Sequence, residues 1–386
     1  MYAGVASMIV GNILYFSAQL VPGHRRYMVL LSVCYMGIGT SQDPLLRAYA
    51  STSCLAKDRP VAIAYLNVGM SFAIALGPAL QLLLTLLGYP GWVISEGLSI
   101  NNYTVAVFIA FLVNIFCGLL LTFCFKESYV TQLPKYDKVA VFVCLFTYFA
   151  NAFYGANLAI SSTPIALTVF AFTKNETVRY QSIAHASFGI IALITYTTYI
   201  YFRVARLIRH RIVIIFATLI SLLFLLLTYP WWFIPGHLTT YSNQGEQHVS
   251  SVNTAILDLN NATSELVGCN TDEFSWCDSM KRVNPWVFYS AFTLCLGIGS
   301  PYFRNCNGTI YGQVLGPRRQ GTMQGFSEVS DGIARILGPL ALGTLYTSYG
   351  PKATWLLEIA LVLVTIILWI VFNNRMVELK VVSLNN

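Results

Sequence analysis

Charge is what this sequence has least of. Only 10% of its 386 residues are Asp, Glu, Lys or Arg, against roughly 25% in an ordinary soluble domain. A soluble chain of this length would lack the polar surface to cover itself, which excludes a soluble enzyme and a disordered tail protein. Cysteine is scarce where a disulfide-stapled secreted module would need it. Seven of the nine lie in or beside apolar runs, where Cys behaves as a small apolar residue. The five histidines are scattered and no C-x-x-C occurs, so neither a metal nor another cofactor is expected. Nucleophile elbow, phosphate loop, zinc helix and kinase signature are all missing. The 23 basic residues outnumber the 16 acidic ones, but they sit in short loops without interleaved aromatics. Nucleic acid is therefore not an expected partner.

Apolar residues are what the sequence does have: 56%, or about 216. A bilayer-spanning helix needs about 20 of them, so there is enough for about ten spans. A β-barrel would alternate over ~10-residue segments, whereas these runs are long and unbroken. The fold class expected is an all-α polytopic membrane protein, with the lipid bilayer as its solvent. The runs are 1–21, 27–50, 60–87, 103–125, 138–171, 179–202, 211–234, 285–306, 321–347 and 353–372. The fifth is long for one span and holds Asn151, Asn157 and Thr163-Pro164. With no charge between Lys138 and Lys174 to make a loop, it reads as one kinked helix.

Alternate connecting segments carry 13 and 7 positive residues. The richer set is expected to be cytoplasmic, which places both termini in the cytosol. Three N-x-[ST] acceptors, Asn102, Asn175 and Asn261, fall on the opposite face and point to glycosylation there. A fourth, Asn307, falls at the cytoplasmic end of a span and reads as fortuitous. Cys269 and Cys277 lie in the one long loop, 235–284, on the glycosylatable side. They read as closing a small disulfide hairpin, or as free thiols.

The chain also echoes itself. Gly77-Pro78 and Gly338-Pro339 are 261 residues apart, and the same offset pairs Lys57-Asp58-Arg59 with Arg318-Arg319-Gln320. In both copies a basic turn leads into a helix and Gly-Pro follows about 18 residues later. Glycine lets helices approach closely, and two related halves in one membrane chain are a transporter signature. Ala73-Ile-Ala-Leu-Gly77-Pro78 and Arg47-Ala-Tyr-Ala-Ser51 resemble the motifs of the fifth and fourth helices of the major facilitator superfamily. Gly37-Ile-Gly39, Leu315-Gly-Pro-Arg-Arg-Gln-Gly321, Ala334-Arg-Ile-Leu-Gly-Pro339 and Tyr349-Gly-Pro351 are similar to a lysosomal branch of it.

That resemblance implies helices three to twelve of a twelve-helix pattern. The first two helices, and with them one wall of the central cavity, would be missing, as in an incomplete gene model or a truncated form. It also implies a partial N-terminal bundle over 1–125, a cytoplasmic linker over 126–137, a six-helix bundle over 138–372 and a cytoplasmic tail over 373–386. The expected function is secondary transport of a small solute by alternating access in a lysosomal or late endosomal membrane, with coupling to protons a further expectation. The glycosylatable loops alone fit a plasma membrane equally well. Alternatives are an anion (chloride) channel on the same scaffold and a truncated membrane protein that transports nothing.

Charges inside the runs are the candidate site residues, because each costs at least ~2–3 kcal/mol at mid-bilayer if unpaired. Asp43 and Arg47, at i and i+4, share a helix face. Arg47 reads either as an interfacial arginine with a local acid or as a gating and substrate-anion contact. Glu328, Asp331 and Arg335 form one stripe, at depths of about 10, 15 and 21 Å from Gly321. Asp331 with Arg335 reads as a structural pair. Glu328, with no cation on its own helix before Arg335, reads as the better proton site. The repeat offset sets Arg304 opposite Asp43, either as an interdomain gate pair or with Arg304 reaching the interface alone. His185 reads as a hydrogen-bonded core histidine or as a pH sensor. Glu358 reads as a helix-packing or a near-interface residue, and Tyr229 with Trp231-Trp232-Phe233 as an interfacial belt. The cavity charges favour a small anion or organic acid over a cation.

Overall fold

The computed structural model describes residues 1–19, 23–54, 58–85, 91–95, 98–125, 136–202, 204, 209–241, 267–316 and 320–379. They form helices almost throughout: α1 (Tyr2–Ser17), α2 (Arg25–Gly39), α3 (Gln42–Ser53), α4 (Arg59–Thr85), α5 (Asn102–Cys124), α6 (Lys138–Thr168), α7 (Lys174–Tyr201), α8 (His210–Thr228), α9 (Pro285–Ala291), α10 (Gly297–Leu315), α11 (Gly321–Tyr349) and α12 (Pro351–Val371). A π-helical segment, Phe292–Leu296, joins α9 to α10 without a break. Two short pairings, β1 (Trp92–Ser95) with β2 (Leu98–Ile100) and β3 (Thr240–Tyr241) with β4 (Cys269–Asn270), complete the order.

Among the described residues, every apolar run falls mainly on helix. The stretches long and apolar enough to cross a bilayer by themselves, among the described residues, are Arg59–Gly77, Thr104–Cys124, Lys138–Thr168, Lys174–Tyr201, His210–Thr228 and Pro351–Val371. The others depart from a plain span for visible reasons. Run 27–50 is not one helix. It divides at Thr40-Ser41 into α2 and α3, where Thr40 Oγ1 donates to the Gly37 carbonyl at 2.7 Å. Pro44, in the first turn of α3, has no N–H to continue the preceding turn. Run 285–306 does not stop at 306. Helix α10 continues to Leu315 through Asn305, Asn307 and Thr309, all buried. Helix α11 carries three charges in its first half.

The chain forms two compact units that are not consecutive in sequence. One comprises 1–141, 308–328 and 377–386; the other comprises 142–307 and 329–376. This differs from a serial split after the linker, because 308–328 groups with the N-terminal helices. In the first unit, glycines set how closely helices approach: a Cβ on Gly39 would lie 3.0 Å from the Gly4 carbonyl. Phe16 and Phe108, with ring centroids 6.4 Å apart, seat α5 beside α1.

In the second unit an apolar core runs through α6, α8, α9, α11 and α12, with Ile165, Phe170, Phe224, Leu225 and Phe288 almost fully buried. Polar ties cross it. Trp355 Nε1 donates to Thr228 Oγ1 at 3.0 Å and Trp369 Nε1 to Thr147 Oγ1 at 2.9 Å. Bonds of this kind average about 0.6 kcal/mol in membranes, so they fix register more than they add stability. A Thr173/Glu176 capping box opens α7, and Asn284 with Pro285 opens α9; each satisfies N–H groups that a first turn leaves unbonded. Cys269 and Cys277 are joined in a disulfide, which holds buried Trp276 against Gly350 in the turn between α11 and α12.

Candidate functional site

The clearest charged constellation lies in the first unit, where α3 meets the start of α11. Arg47 extends one guanidinium nitrogen to Asp43 at 2.6 Å and the other to Glu328 at 3.1 Å. The arginine side chain is 14% exposed, the two acids 44% and 33%. Sequence spacing left Glu328 without a cation; Arg47 supplies one from a helix 281 residues away. A guanidinium fork suits this role because its planar donors can serve two carboxylates at once.

A second interlock, whose acceptors are carbonyl and amide oxygens, lies beside it. Arg59 Nε donates to the Ser51 carbonyl at 2.9 Å, and Gln320 Nε2 donates to the Gly312 carbonyl at 3.1 Å. The offset of 261 that relates the Gly-Pro pairs also relates Ser51 to Gly312 and Arg59 to Gln320. Each repeat therefore closes its own loop by the same bond, from a side chain to the carbonyl eight residues earlier. The repeats then cross-link. Ser51 Oγ donates to Gln320 Oε1 at 2.6 Å, and Arg59 donates to the Gly312 carbonyl at 3.4 Å. All three side chains are buried. A Cβ at Gly312 would meet Arg59, Gln320 and Ser51 at 3.6 Å each. The partners of this echo, Lys57, Arg318 and Arg319, lie outside the described residues.

With this geometry in place, the chain's relatives can be compared. A family model of the Major Facilitator Superfamily matches residues 1–257. The chain belongs to the major facilitator superfamily. Within it, the chain is 22% identical over 375 residues to Major facilitator superfamily domain-containing protein 8 of Xenopus laevis, covering 91% of this chain and 73% of that protein. Among solved structures it is similar to the human organic anion transporter MFSD10 (TETRAN), with a TM-score of 0.61 and 16% identity over 95% of this chain and 79% of that one. It is also similar to the transporter FucP in its outward conformation, with a TM-score of 0.59 and 13% identity over 96% and 83%. These likenesses establish the all-α superfamily fold in a multi-pass membrane protein, a family of transporters acting on small solutes.

The other candidate residues of this superfamily member are spread out. Asp331 and Arg335 pair with each other at 2.5 Å in the second unit, with Asp331 almost buried and Arg335 exposed. Arg304, half-buried on α10, belongs to the second unit, whereas Asp43 belongs to the first. His185 Nδ1 lies 2.9 Å from the Gln181 carbonyl. Its ring packs on Phe292 of the π-helical segment. Leu158, Ser162, Gln181, Tyr289 and Phe292 line a small cavity with it, of a size for about one water.

Gly77 is exposed, and the side chain of Pro78 lies outside the described residues. Gly338 approaches α6 so closely that a Cβ would lie 2.9 Å from Asn157 Oδ1; Pro339 follows it inside α11. Asn175 is exposed, Asn307 is fully buried, and the Asn102 side chain and Asn261 lie outside the described residues. Glu358 is the residue that sequence reasoning undervalued. It is 5% exposed, deep within α12, and no charge elsewhere in that span signalled a site.

Proposed function

We propose that this protein is a secondary transporter that moves a small organic anion by alternating access across an endosomal or lysosomal membrane, and that the Arg47 constellation latches its cytoplasmic gate. The observation that carries the reading is the pairing of Arg47 with both Asp43 and Glu328, backed by the cross-linked repeat of Arg59 and Gln320. Two sequence-distant helix ends are held by bonds that must break together if that end is to open. The charges are paired but partly hydrated, so they can separate at modest cost, as a gate requires. The anion preference is supported by the arginines at positions 47, 304 and 335, and by the human relative named as an organic anion transporter.

The test is reconstitution of the full chain in liposomes with carboxyfluorescein as the probe anion. Alternating access predicts saturable uptake that is accelerated by the same anion trapped inside. Arg47→Ala should slow this counterflow, because the gate no longer closes between cycles. A chloride current that rises linearly with driving force, without exchange, would replace the reading with a channel. Location is tested separately: an epitope-tagged chain should overlap a dye of acidic organelles, and confinement to the cell surface would refute that part.

A further inference from the structure

The strongest unexplained feature is a polar cluster inside the second unit, away from the Arg47 latch. Glu358 lies on α12 about 10 Å from its first residue and is almost fully buried. Among the described residues no Lys, Arg or His forms an ion pair with it. Asn157 of α6, fully buried, lies beside its carboxyl. Tyr154, one turn earlier on the same face of α6, is close enough for its hydroxyl to feel the same charge. Neither amide atom of Asn157 nor the Tyr154 hydroxyl has a well-formed hydrogen bond among the described residues. Two buried polar side chains with their capacity unspent thus converge on a buried carboxyl, where native interiors leave very few such groups.

The donor count says what completes the cluster. An ionised Glu358 only accepts. It could take Asn157 Nδ2–H and Tyr154 O–H, but Asn157 Oδ1 would then have no donor and a charge would remain in the span, at ~2–3 kcal/mol or more. A protonated Glu358 supplies the missing donor. Its O–H can serve Asn157 Oδ1 while its carbonyl oxygen accepts from Asn157 Nδ2 and Tyr154, so every group is used and no charge is left.

The facing elements offer no substitute cation. On α6 and in the π-helical segment the titratable neighbours are Tyr154 and Cys295. The intramembrane part of α8, residues 212–228, has no ionisable residue, and on α12 the only other charge is Lys352 at its first turn. On α11, Asp331 and Arg335 are occupied with each other and Tyr346 bonds Thr168.

We infer that Glu358, Asn157 and Tyr154 form a proton-binding site within the C-terminal bundle. The site is placed to act on the fold. Asn157 touches α11 at Gly338, the glycine of the repeated Gly-Pro pair. Loss of the proton removes the donor to Asn157 Oδ1 and sets that oxygen against a carboxylate, which turns the amide and changes the surface that Gly338 packs against. The inference deepens the transport reading by naming where a coupled proton rests; its test needs no transport.

The experiment is infrared difference spectroscopy of the full-length protein in detergent, solute-free, between acidic and alkaline pH in H2O and D2O. The expected result is a protonated-carboxyl C=O stretch in the wild type that disappears as pH rises and shifts in D2O. It should be missing in Glu358→Gln and retained in Glu328→Gln. Asn157→Leu should move the band by removing its hydrogen-bond partner, and this readout serves if Glu358→Gln fails to fold. A band unchanged in Glu358→Gln, or untouched by Asn157→Leu, overturns the proposal. Loss of the wild-type band on adding sodium at fixed pH overturns it in favour of a metal-cation site. If carboxyfluorescein exchange fails while the band behaves as expected, the proton site stands and the transport reading falls.

Discussion

Glu328 and Glu358 lie on the last two long helices, and the structure treats them in opposite ways. Glu328 is one-third exposed and answers Arg47, which it shares with Asp43. Glu358 is nearly sealed from solvent and faces an amide and a phenol. The first environment suits a carboxylate that stays ionised and lets go of its partner when a gate opens. The second suits a carboxyl whose neighbours are complete only when it holds a proton. A charge inside a membrane protein is thus explained by what faces it, not by its depth alone.

Five substitutions would break or sharpen this contrast. The largest effect is expected from Glu358→Lys, which puts an ammonium where no acid waits. It should cost about 3 kcal/mol or more, read as loss of the monodisperse peak and a collapsed melting temperature. Next, Arg47→Ala strands two carboxylates beside each other and should cost about 1.5–3 kcal/mol. Adding Glu328→Gln to Arg47→Ala should recover part of that loss, and a double mutant no better than the single would mean the acids do not repel. Third, Gly338→Ala presses a methyl toward Asn157 and should cost about 1–3 kcal/mol. The smallest effects separate the two glutamates most sharply. Glu328→Gln should lose about 0.5–1 kcal/mol of a part-exposed pair, while Glu358→Gln, isosteric with the protonated acid, should change the melting free energy by less than about 0.5 kcal/mol at neutral pH. Equal losses for the two would erase the distinction.

The sequence made the helices legible because bilayer physics writes them as apolar runs, and Pro285, Thr173 and Gly350 mark ends by ordinary capping rules. It made the local pairs legible too, since Asp43 with Arg47 and Asp331 with Arg335 are each one turn apart. Two things were hidden. One was the meeting of Arg47 with Glu328, which depends on how α3 and α11 pack and leaves no local spacing to read. The other was Glu358, which has no charged companion within its own span; its companions, Asn157 and Tyr154, sit on α6 some 200 residues earlier, where Asn157 reads only as part of a kink. The repeat was the one signal that could have found the interlock, because it placed Arg59 and Gln320 at equivalent positions before their side chains were seen to cross.

The turn at Gly350 carries a consequence for inheritance. Its backbone φ is +74°, a region where a side chain is strained. Independently, a Cβ there would lie 2.7 Å from the Trp276 ring that the disulfide holds in place. A lineage that lost both cysteines would relieve the collision but not the backbone demand. Glycine at 350 should therefore outlast the cysteine pair in diverging descendants, whereas Trp276 should drift once the bridge is gone.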